Sequence, residues 1–172
     1  MIENLVKKAQ MGDKKAFNKL ISTYQKDLYL VAKSKLNSEE DVFDVIQETI
    51  LTVYLSISKL KKISSFKIWL MKILIAKCNN VYKEKVKTSN IPIDDISNNT
   101  SKLEENDIGS NIEFYSLLNS LTEEEKDIII FRYAERYKIK EIANILDINE
   151  NTVRSKILRA KKKIENNIKE DL

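Results

Sequence analysis

Between residues 151 and 163, NTVRSKILRAKKK, stand six lysine or arginine residues and no acid. At about 100° per residue, Val153, Ile157, Ala160, Ile164 and Ile168 fall on one stripe of a helix. Asn151, Ser155, Arg159 and Lys162 fall on the face opposite, with Thr152 and Lys163 beside them. A helix with one apolar side and one side of cationic, amide and hydroxyl groups has the chemistry to pack on a neighbour and enter a nucleic-acid groove. Taken alone, a cationic helix face is more often just a solvated face.

The residues that must position this helix argue against that bland reading. Ile139, Ile142, Ala143 and Leu146 follow the i, i+3, i+4, i+7 spacing of a short amphipathic helix. Asp147, Ile148 and Asn149 break it. Asn149 is suited to cap the next helix, and Glu150 sits where the positive end of the helix dipole favours an acid. A short helix, a tight turn and a capped basic helix together predict a helix-turn-helix.

Other chemistries lack their residues. There is no histidine, which removes the commonest general base and the commonest metal ligand. Cys78 is the only cysteine, so no internal disulfide and no two-cysteine metal site can form. Its apolar helical setting marks it as packing. No Gly-rich phosphate loop and no nucleophile motif is present. The expectation is a protein that is not an enzyme and needs no cofactor, metal or small-molecule substrate. No run has the apolar length of a membrane span, and MIENLVKKAQ is no secretory signal, so a cytoplasmic location is expected.

The 172 residues are 42% apolar and 33% charged, with two glycines and one proline, which predicts an all-helical chain. Net charge is +4, unevenly spread: +8 over 1–87, −4 over 88–112 and zero over 113–172. Residues 38–58 carry five acids and no base, whereas 59–87 carry nine bases and one acid. Opposed blocks of this kind imply partner surfaces of opposite sign. The predicted helices of the first part run over about 2–11, 13–36, 38–58 and 66–87. Asp13, Ser38 and Ser65 are their expected caps, and Asp41, Asp44, Gln47 and Glu48 cluster on one side of the third. The fourth is apolar nearly all round, with Lys67, Lys72, Lys77, Lys83, Lys85 and Lys87 intruding. It suits a core helix with snorkelling lysines, or a surface that holds unstacked bases and phosphates. Residues 88–112, rich in Asn, Ser and acids, read as a flexible acidic linker. A second domain over 113–172 follows. Thr122 and Glu125 form an expected capping box there, and Ile128, Ile129, Phe131 and Tyr133 an expected buried side.

Four segments in order resemble the extracytoplasmic-function group of bacterial sigma factors, in the form with only the second and fourth sigma domains. GDKKAF at 12–17 with Leu20 and Tyr24 resembles the opening helix, and DVFDVIQETILTVY at 41–54 the polymerase-docking segment. FKIWLMKI at 66–73 resembles the Phe-x-x-Trp-Leu-x-x-Ile run, and 118–164 follows the fourth domain almost throughout. Three positions depart: Ala76 replaces a frequent Asn, and Asp147 and Asn151 replace glycines.

The resemblance implies a partner, core RNA polymerase, and a substrate surface, promoter DNA. Asp41, Asp44, Gln47 and Glu48 would dock on the clamp helices of the largest subunit. Lys72, Lys77 and Lys83 would meet phosphates of the melted minus-ten strand, with Asn79 and Asn80 as base readers. Asn151, Thr152, Ser155 and Arg159 would read the minus-thirty-five element in the major groove, with Arg154, Lys156, Lys162 and Lys163 on its backbone. An anti-sigma factor is a further implied partner. Two readings compete: a stand-alone helix-turn-helix regulator that binds duplex DNA and has no use for the acidic helix or the lysine-rich one, and an interaction module whose basic helices meet RNA or acidic protein without sequence preference.

Overall fold

The computed structural model describes residues 1–88 and 117–170, which hold seven α-helices and no strand. The chain divides into two compact units, Met1–Lys85 and Val86–Leu172. Apart from Thr88, the expected linker over 88–112 lies outside the described residues.

The first unit contains α1 (Ile2–Gln10), α2 (Lys14–Lys35), α3 (Glu39–Ser56) and α4 (Phe66–Thr88). Its punctuation is local chemistry. Gly12 has φ +88°, a left-handed value that favours glycine. The Asp13 carboxylate then accepts the Ala16 N–H at 3.0 Å and starts α2. Ser38 accepts the Asp41 N–H at 3.4 Å and starts α3. Ser65, the expected cap of α4, instead closes a 3-10 turn, Ile63–Ser65, that runs straight into that helix.

Leu20, Leu28, Val42, Val53, Phe66, Leu70, Met71 and Leu74 are fully buried, and Cys78 is buried among the packing groups, as its setting predicted. Aromatic edges tie the helices: Phe17 meets Tyr54 at 5.0 Å, and Tyr24 meets Phe66 at 5.7 Å between ring centroids. Gln10 closes the unit by donating to the carbonyls of Ile57 at 2.9 Å and Leu60 at 2.8 Å. That amide satisfies two backbone acceptors in the turn between α3 and α4.

The second unit contains α5 (Glu123–Ile129), continued by a π-helical turn over Ile130–Ala134, then α6 (Ile139–Leu146) and α7 (Glu150–Glu170). The capping box at the start of α5 is complete. Thr122 N–H donates to Glu125 at 3.0 Å, and Glu125 N–H to the Thr122 hydroxyl at 3.4 Å. Ile128, Ile129, Ile130, Phe131, Ile142, Val153 and Ala160 form the core. Two expectations fail here. Tyr133 is 44% exposed, because the π turn rotates it off the buried side, and Lys161 lies 5.3 Å from its ring centroid. Ile168 is also exposed, since α7 outlasts the helices it packs on.

Candidate nucleic-acid interface

The turn that aims α7 is built as the residues suggested. Asp147 adopts the left-handed conformation, φ 55° and ψ 45°, where a glycine would carry no Cβ penalty. Ile148 N–H donates back to the Ala143 carbonyl at 3.0 Å, and the Asn149 side chain accepts the Asn151 N–H at 2.8 Å. Val153 and Ala160 then lock α7 against the unit's core. As a result, Asn151, Ser155, Arg159 and Lys162 all stand exposed in one row, and Thr152 is half-exposed at its edge.

The flanking cations divide. Arg154 is exposed and bonded within α7, to the Glu150 carboxylate at 3.3 Å and the Asn151 side-chain oxygen at 3.1 Å. Lys156 and Lys163 point at the start of α5 instead, pairing with Glu124 at 2.6 Å and Glu125 at 2.7 Å. Burial pushes the Glu125 carboxyl up. The hydrogen bond from Lys163, those from the Thr122 backbone and hydroxyl, and the Lys163 charge outweigh it, so its pKa ends below the ordinary value. These two lysines therefore tie α7 to the start of α5.

In the first unit α3 presents Asp44, Gln47 and Glu48 to solvent, with Asp41 half-exposed one turn earlier. Exposed apolar side chains lie among them, which the charge pattern alone did not flag: Phe43 at 53%, Leu51 at 58% and Leu55 at 68%. Their signal was present, since all three fall off the buried stripe of Val42, Val45, Thr49 and Val53. Exposed apolar groups in a contiguous, charge-rimmed cluster mark an interaction surface.

Helix α4 buries Phe66, Leu70, Met71, Leu74, Ile75 and Cys78. On the opposite arc it brings together Lys72, Asn79, Asn80 and Lys83, with half-exposed Trp69 between them. Lys77 is not in that group. It lies roughly 120–160° around the helix from Lys72, Asn79 and Lys83 and about 60° beyond Asn80, on the edge toward α3, where it pairs with Glu48 at 3.2 Å. Lys85 pairs with Asp41 along the same edge.

Family models describe residues 20–88 as sigma-70 region 2 and residues 111–164 as sigma-70, region 4. The ECF RNA polymerase sigma-E factor of Haemophilus influenzae is 32% identical over 95% of this chain and 93% of its own length. The chain belongs to the ECF sigma factors. Another relative, the RNA polymerase sigma factor SigV of Bacillus subtilis, is 31% identical over 83% of this chain and 84% of its own length. Among solved structures, CnrH in complex with the cytosolic domain of CnrY matches with TM-score 0.75 at 20% identity, over 99% of each chain. The sigma factor RpoE of Bartonella quintana, in complex with the anti-sigma factor NepR, matches with TM-score 0.76 at 19% identity, over 92% of this chain. These two are likenesses of fold.

As an alternative sigma factor, the chain binds core RNA polymerase and directs transcription initiation at chosen promoters, and it is not an enzyme. A stand-alone regulator would need only the helix-turn-helix, and the region 2 match over 20–88 has no place in one. Among the described residues of this sigma factor, no helix is long and apolar enough to cross a membrane.

Proposed function

We propose that the outward row of α7, Asn151, Thr152, Ser155 and Arg159, reads the minus-thirty-five element in the major groove. Lys162 and Arg154 meet its phosphates, and Lys156 and Lys163 join them once their α5 partners are exchanged. The α4 arc of Lys72, Asn79, Asn80 and Lys83 takes the melted minus-ten strand, with Lys77 joining from the neighbouring edge. Asp41, Asp44, Gln47 and Glu48 of α3, with Phe43, Leu51 and Leu55 among them, dock on the clamp helices of the polymerase. The observation that carries this reading is the α7 row, with Asn151, Ser155, Arg159 and Lys162 exposed and Thr152 half-exposed on a helix whose other side is fixed by Val153 and Ala160.

On this reading, 1–87 is the docking and minus-ten domain, 113–172 the minus-thirty-five domain, and 88–112 the link. The protein works in the cytoplasm, where its polymerase and promoters are. One solved complex of similar fold holds an anti-sigma factor, which supports such a protein as a further partner here. The test is transcription in vitro with purified core polymerase and a promoter library. Transcripts should start from a subset of templates that share paired upstream elements. Absence of any chain-dependent transcript would overturn the proposal.

A further inference from the structure

Helix α2 opens with the wrong sign of charge for its dipole. The first turns of α3 and α5 each carry three acids, where the positive end of a helix favours them. The first turn of α2 has no acid and opens with Lys14 and Lys15. Lys19 and Lys26 follow on the same outer side as Lys15, all three roughly 140–180° around the helix from buried Tyr24. These four lysines are exposed, and none has an acidic partner among the described residues. The two acids at hand are spent: the Asp13 carboxylate caps the helix, and Asp27 pairs with Lys67 at 3.3 Å. Lys15 and Lys19 stand one turn apart and repel. The helix therefore carries a cationic stripe that works against its own stability.

We propose that this outer face of α2 holds the phosphate backbone of duplex DNA, without regard to sequence. Its make-up selects that partner. Every apolar side chain between Lys14 and Lys26 is buried, so no ring is left to stack on unstacked bases. A protein interface draws its affinity from aromatic and arginine anchors and is poor in lysine. The hydroxyls of Ser22 and Thr23 each donate at 2.9 Å, to the Asn18 and Lys19 carbonyls, and so stay turned to their own helix. Along the stripe the groups left outward are flexible ammonium heads, which neutralise phosphates and read no base. Lys15 and Lys26 stand about 16 Å apart along the axis, a length over which one strand of a duplex presents roughly five phosphates. Tyr24 packs on Phe66 of α4, so the stripe faces away from that helix. The site is thus separate from the α4 arc and independent of the roles proposed for α3, α4 and α7.

The experiment is fluorescence anisotropy of a labelled random-sequence duplex, titrated with the full chain over a range of salt. The triple variant Lys15→Gln, Lys19→Gln and Lys26→Gln should bind roughly tenfold more weakly at low salt, and its slope of log affinity against log salt should be shallower by about two to three. Lys15→Arg with Lys19→Arg and Lys26→Arg keeps the charge and should keep the wild-type slope. Amine acetylation read by mass spectrometry places the contact in the wild-type chain, where the duplex should protect Lys15, Lys19 and Lys26. An unchanged slope in the glutamine variant, or weaker binding with no protection of these three amines, would mean a general field effect and overturn the proposal. A glutamine variant that binds duplex normally but loses core polymerase in a pull-down would make the face a protein contact and overturn it too.

Discussion

On the proposed reading of α7, Arg159 is the side chain with most at stake in promoter choice. It stands exposed on the α7 row, and its Nε donates to the Ser155 carbonyl at 3.5 Å, which leaves the guanidinium edge outward. If it is bidentate to a guanine, Arg159→Ala should cost about 1–3 kcal/mol on one promoter class and relax preference at a single base. Affinity measured across a set of single-base promoter variants checks this, since a uniform loss would assign Arg159 to phosphate. Glu125 poses a different residue-scale question, because it caps α5 and anchors Lys163 at once. Its folded-state pKa is depressed below the ordinary 4.5, so its contribution is fully present above that value. The contribution is lost as pH falls through the lower folded value. Thermal melting from about pH 6 to about pH 3 should show the second unit weakening with acid. Glu125→Gln should remove part of that slope while lowering stability at neutral pH.

At the scale of elements, the turn before α7 holds an untapped gain. Asp147 occupies a left-handed C-terminal position where glycine avoids the Cβ contact. Asp147→Gly should stabilise the second unit by about 0.5–1 kcal/mol, read by urea denaturation, and leave the direction of α7 unchanged. Loss of stability would show that the carboxylate has a partner role that outweighs its strain. This turn also shows which parts of the fold the residues disclosed in advance. Caps at Asp13, Ser38, Thr122 and Asn149 act over two or three residues, so sequence spacing contains all of their physics. The outward row of α7 was equally readable, because one apolar stripe fixes the helix rotation. Helix α4 was not, since its apolar residues surround it and only packing on α2 and α3 decides which arc is buried. The ion pairs Lys77–Glu48 and Lys156–Glu124 join residues 29 and 32 positions apart, beyond the reach of any local period. Tyr133 was misplaced for a related reason, because a π turn shifts the rotation that an α period assumes.

For the molecule as a whole, charge is partitioned into blocks rather than spread evenly. Residues 38–58 carry only acids and 59–87 nearly only bases, yet both blocks belong to one unit. The cationic α7 row belongs to the other. Like charge on polymerase and on DNA-binding helices would repel, so a protein that joins an enzyme to a polyanion needs surfaces of both signs. That partition makes the functions separable. Asp44→Arg with Glu48→Arg places cations where the docking face needs acids, so it should abolish holoenzyme assembly in a pull-down with core polymerase. Both side chains are exposed, so the lost Lys77–Glu48 ion pair and the new like charge beside Lys77 should together lower stability by only about 1 kcal/mol. Arg159→Ala should behave in the opposite way, assembling holoenzyme normally while failing at its promoters. If the α3 double variant still assembles, the acidic face is solvated surface and the exposed Phe43, Leu51 and Leu55 must carry docking without it.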